Sequence, residues 1–205
     1  GDKKQGFNLF TQAQDEHDTV FVNHLLNLII MMIESNSSEE MRALSLVEQM
    51  AIDKAITNVL KMPKDMQRLL TMAQHCPKSV MQKLSRFIGN GHYAALFDSP
   101  VDAIGEFDKP VGVFNLAGIK EDETAKKLAM SEITYRIFRL FENPAYRTVP
   151  KWLDLDEVHH LLENPYITND LIVKRIRTWG KWLGGMGMWT QSGVELGKIP
   201  DWPAI

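Results

Sequence analysis

Cysteine is almost missing from this 205-residue chain, with Cys76 the only one. A disulfide framework is therefore excluded, and so is a zinc site built from several thiolates. The lone thiol fits a reducing compartment. An excess of one charge is missing too. The 23 Lys and Arg face 26 Asp and Glu, a net of −3. No basic surplus points to nucleic acid or to an anionic membrane surface. The longest apolar run is Leu28–Ile33, six residues, far below the ~20 that span a bilayer. There is no internal repeat and no low-complexity tract. The chain opens Gly1-Asp2-Lys3-Lys4, without Met and without an apolar signal segment. A piece of something larger is the expectation.

What is present is an ordinary globular composition, 44% hydrophobic and 24% charged. A chain of this length can bury about 70% of its unfolded surface. The pattern changes near residue 109. Before it, Asp15 to Glu34 reads as a helix, acidic at its start. Phe21, Leu25, Leu28, Ile29 and Met32 form one apolar face. Ser35–Ser38 breaks it, and Ser37 or Ser38 can cap a second helix. That helix is expected to run to about Leu60, with Met41, Leu44, Val47, Ala51, Ala55 and Val59 on one side. Pro63 and Pro77 are each expected to open a further helix. Gly89-Asn90-Gly91 suits positive φ, and Tyr93 to Pro110 reads as irregular.

After residue 109 the period shortens. Val111–Leu116 reads as a buried strand, Asp122 to about Phe141 as a long helix, and Val149–Leu155 as a second strand. A short helix after Asp156 and a longer one over about Thr168 to Trp182 lead to a last strand, Met186–Thr190. Strands alternating with helices imply right-handed crossovers and a parallel sheet.

Three local patterns carry chemistry. Trp152-Leu153-Asp154-Leu155-Asp156-Glu157 is a mostly apolar strand ending in two acids. At the carboxyl end of a sheet strand, the first acid can support magnesium and the second can orient an attacking water. Asp156 also reads as a helix N-cap and Glu157 as a first-turn acid. Asp154 interrupts the apolar run. Thr190-Gln191-Ser192 follows the last strand, where a glutamine can reach a γ-phosphate or a water, or simply form a polar turn. Lys174, Arg175, Arg177 and Lys181 could meet a phosphate of their own or a neighbouring subunit, or form a solvated helix face.

These patterns stand in an order that resembles a known family. The stretches "FNLF", "HYAALFDSP", "VGVFNLAGI", "WLDLDEVHHLLENP" and "GMGMWTQS" are similar, in register from about Phe7 to Ser192, to the large cytoplasmic ATPases of conjugation and type IV secretion machines. The resemblance implies an α/β fold, helix-dominated overall: part of a RecA-like parallel sheet with flanking helices, plus an inserted all-α subdomain. Residues 1–14 would end one core segment, 15–109 would form the all-α subdomain, and 110–205 would carry the Walker B-like and TQ motifs. It implies Asp156 as the magnesium-supporting acid, Glu157 as catalytic base and Gln191 as γ-phosphate sensor. The family's Arg-Lys pair falls on Gly180 and Lys181, so the lysine alone carries over; Arg177 or Arg175 is the nearby substitute guanidinium. The family's strand-ending aspartate is Asn115 here.

No Gly-x-x-x-x-Gly-Lys-Ser/Thr occurs, so the backbone cradle for phosphates is missing and no nucleotide-binding residue is assigned. The resemblance implies ATP and magnesium as cofactors of a parent motor. It further implies a ring, as a hexamer, working with secretion-channel subunits and DNA or protein substrates at the cytoplasmic face of the bacterial inner membrane. The piece itself is expected to be inactive. The alternatives are a DNA-pumping ATPase of the coupling-protein or FtsK-like kind, and a non-catalytic helical interaction module. His159-His160 and the His17/His24 pair lack a third ligand at metal spacing. The eleven methionines read as core filling.

Overall fold

The computed structural model describes residues 6–15, 17–104, 111–156, 158, 168, 173–190, 194 and 197. The chain divides into two compact units, Gly1–Asn115 and Leu116–Ile205; the sequence pattern placed the change near residue 109. Helix dominates among the described residues, with a single two-stranded parallel sheet.

The first unit begins its regular structure with α1, Thr19–Glu34. Asp18 caps it by accepting the Phe21 N–H at 3.0 Å. The expected face, Phe21, Leu25, Leu28, Ile29 and Met32, is buried, along with His24, Met31 and Ile33. The expected single helix to Leu60 is instead two: α2, Glu39–Arg42, and α3, Leu46–Leu60. Ser38 caps the first. Ser45 then starts the second with a capping box to Glu48, which satisfies two orphan donors at once and favours a restart over a continuous helix. The restart resets the phase. Ile52, Ala55, Ile56, Val59 and Leu60 face the core, while Val47 is 73% exposed.

Pro63 opens only a 3-10 turn, Lys64–Met66. Next come α4, Leu69–Gln74, and α5, Lys78–Lys83, the latter directly after Pro77. Gly89 takes φ +60°, and α6, Ala94–Phe97, lies inside the stretch expected to be irregular. The Phe7–Phe10 segment packs into the same unit. Phe7 donates its N–H to the Leu96 carbonyl and accepts from Ser99. Asn8 bridges Asp98 antiparallel, and the Phe7 ring stacks on Phe97 at 5.8 Å.

The second unit holds α7, Glu123–Phe141, capped by Asp122 through the Ala125 N–H. This helix is buried on nearly every side and contains a Glu132–Arg136 pair at 2.6 Å. Trp179 packs edge-on against Phe138 and tilted against Phe141. Strand β1, Lys151–Leu155, pairs in parallel with β2, Gly184–Met188. Between them the described residues include α8, Lys174–Trp179, and a 3-10 turn, Gly180–Trp182.

The expected strand Val111–Leu116 does not form. Residues 111–116 are irregular, and Val111 and Val113 are 77% and 86% exposed. A short valine-rich run becomes a strand only when a neighbouring ladder and a covering face accept it. Among the described residues no strand pairs with this one. The three-strand reading is thus corrected to two strands among the described residues.

Candidate functional site

The β1–β2 ladder brings two of the sequence motifs together. Its register runs from Lys151 opposite Gly184 to Leu155 opposite Met188. It continues past both strand ends: Trp189 donates its N–H to the Leu155 carbonyl at 2.8 Å, and Val158 donates to the Trp189 carbonyl at 3.1 Å. Asp156 therefore lies level with Trp189 and Thr190, all at the carboxyl edge of the sheet. Asp156 is exposed there, in the turn that leaves β1. The residues that follow in the chain, Glu157 and Gln191, lie outside the described residues, as do His159 and His160.

Alternation splits β1 into two faces. Leu153 and Leu155 point inward and are buried, whereas Trp152, Asp154 and Asp156 point to solvent. The outer face is shaped by glycines on β2. A Cβ at Gly185 would meet Cζ3 of Trp152 at 2.4 Å, and one at Gly187 would meet Oδ1 of Asp154 at 2.2 Å. The Trp152 ring and the Asp154 carboxylate thus lie across the neighbouring strand, in the space that a Cβ at Gly185 or Gly187 would need. The Trp189 indole N–H donates to Oδ1 of Asp154 at 3.1 Å. Asp154, which the sequence reading treated only as an interruption, is tied to the neighbouring strand by this bond. The signal that could have found it is the match of an outward acid on one strand with a glycine at the opposed position on the next.

The cations fall elsewhere. Lys181 sits in the 3-10 turn before β2, at the amino edge of the sheet, and Arg177 is on α8 just ahead of it; both are exposed. Five strand residues at about 3.3 Å each put roughly 17 Å between the two edges, beyond the reach of a lysine side chain. Arg175 is ion-paired with Glu142, at the end of α7. Lys151, also at the amino edge, donates to the Tyr146 carbonyl, and burial pushes its ammonium below the usual lysine range. Leu183 enters β2 with φ 53° and ψ 36°, a left-handed conformation costly for a side chain with a Cβ. Asn115 is exposed in the irregular segment before α7.

Among the described residues no group of three or more His, Cys, Asp or Glu could hold a metal ion. A magnesium–nucleotide makes a smaller demand, one or two carboxylates with phosphates and water completing the shell. An exposed aspartate at a strand's carboxyl end meets that demand, so Asp156 fits such a role. No helix among the described residues is long and apolar enough to cross a membrane. No family model and no curated protein matches the chain.

Proposed function

We propose that this chain is part of an ATP-hydrolysing motor with a RecA-like core, of the kind that energises type IV secretion or conjugative transfer at the inner face of a bacterial membrane. One observation carries the reading: the strands bearing the DE and TQ motifs are parallel neighbours whose carboxyl ends lie level. In open parallel sheets, ligands sit at that edge. Asp156 would hold water or a metal ligand at the phosphates, Glu157 would align the attacking water, and Gln191 would contact the γ-phosphate. Magnesium bound with ATP would neutralise charge building on the phosphate oxygens.

Arg177 and Lys181 lie at the opposite edge. In this reading they serve the nucleotide of a neighbouring subunit, which is the reason to propose a ring. Arg175 is already committed to Glu142. The phosphate cradle has no counterpart in this sequence, so the parent protein must supply it. The expected outcome is that the 205-residue chain turns over no ATP. The parent should hydrolyse it, and Glu157→Gln should lower kcat by several orders of magnitude. Magnesium-dependent turnover by the isolated chain, lost in Glu157→Gln, would overturn the division of labour; an unaffected Glu157→Gln parent would overturn the motor reading.

A further inference from the structure

We infer that Asp154 and Trp189 form a cross-strand clasp that fixes the DE and TQ strand ends relative to each other. Resting on the motor reading above, this makes Asp154 a positioning residue for hydrolysis. Three oddities of sequence meet at one place. An acid interrupts a strand that a parallel sheet would normally fill with apolar residues. A glycine stands opposite it in register. A tryptophan directly before Thr190-Gln191 is 62% exposed, yet its indole turns back onto the neighbouring strand.

Each oddity explains the others. A Cβ at Gly187 would push the Asp154 oxygen out of the space it occupies. The carboxylate lies there because the Trp189 N–H holds it. Among the described residues Asp154 has no ion-pair partner, so the indole is what orients it. A merely solvated acid would need neither the glycine nor the indole.

The clasp completes a set of ties around Asp156. The Trp189 backbone bonds Leu155 and Val158, the residues on either side of the DE turn, and its side chain reaches Asp154, two residues before Asp156. Trp189 is thus tied at three points, to Asp154 and Leu155 of β1 and to Val158 beyond it, and Thr190 continues directly from it. These ties oppose rotation of the TQ strand end about the DE strand end. Catalysis by orientation depends on such ties, since small misplacements of a water-aligning carboxylate cost large factors in rate.

Two measurements test the clasp together. In the 205-residue chain, the Trp189 indole N–H is followed by NMR. Asp154→Ala should shift that resonance and speed its hydrogen exchange, whereas Asp154→Asn, whose amide oxygen still accepts, should restore both. In the parent motor, Asp154→Ala and Gly187→Ala should each lower kcat about 10- to 100-fold with the KM for ATP unchanged, and Asp154→Asn should recover most of the rate. An indole signal indifferent to Asp154→Ala overturns the clasp. Equal kcat in Asp154→Ala and wild type, or a loss in KM alone, overturns the positioning role. A parent whose hydrolysis survives Glu157→Gln removes the motor reading and the positioning role with it, while the indole signal still decides whether the clasp exists.

Discussion

Glu48 is the residue whose environment is most legible in energetic terms. Its carboxylate accepts from Lys83 at 2.7 and 2.8 Å, from the Ser79 hydroxyl, and from the N–H and hydroxyl of Ser45. The Lys83 ammonium is the main cause that holds its pKa down at about 2 instead of 4.5. A depressed folded-state value means the stabilisation is fully present above pH 4.5 and is lost as the pH falls toward 2. Lys83→Met should therefore destabilise the protein at pH 7 by about 1 kcal/mol, as for a pair that water still screens. The difference from wild type should shrink as the pH falls and vanish only below about pH 2. Urea titrations of both proteins at several pH values check this, and a difference independent of pH would sink it. Cys76 shows the opposite influence: burial pushes its thiol up to about 11, so it stays protonated and unreactive at neutral pH.

At the scale of elements, the "FDSP" turn shows why a short motif can matter for folding. The Asp98 side chain is almost fully buried and joins three segments. It accepts from the Leu70 N–H at the start of α4, from the Gly89 N–H, and from the Arg68 guanidinium, which also donates to the Asp98 carbonyl. Asp98→Ala would leave two N–H groups and a partly buried cation short of their acceptor. The expected cost is about 3 kcal/mol. Chemical denaturation measures it, and faster amide exchange in α4 than in α1 would locate it; a loss below 1 kcal/mol contradicts the reading.

The same scale shows what could be read in advance. Both long helices, α1 and α7, were visible because their caps, Asp18 and Asp122, and their apolar spacing are local properties. The break before α3 was not visible. A capping box at Ser45 competes with helix continuation, and only packing decides the contest. The segment 111–116 had strand composition, but a strand is a property of pairs. That the DE and TQ strands run parallel followed from the strand–helix alternation. The role of Asp154 did not, because it depends on which residue of β2 lies opposite, and register is not local information.

For the whole molecule, the division into two units has an energetic consequence. The first unit has its own core, in which Phe10, Phe21, Leu28, Ile29, Ile56, Phe87 and Phe97 are essentially inaccessible to water. It also has its own closing ties between residues 6–8 and 96–103. Residues 1–115 expressed alone should therefore fold. The expected result is a helical circular dichroism spectrum and one cooperative urea transition; a broad, non-cooperative melt would refute it.

All five tryptophans belong to the second unit, at positions 152, 179, 182, 189 and 202, and none lies before residue 116. Selective excitation of indole therefore illuminates one unit and leaves the other dark. Trp179 is sealed against Phe138 and Phe141, so it should emit at the blue end. Trp152 and Trp189 stand in water on the sheet's outer face and should emit to the red and be open to a soluble quencher. The chain thus carries a built-in optical reporter. Trp152 and Trp189 within it watch the surface where the DE and TQ strands meet, while far-ultraviolet ellipticity follows the helices of both units.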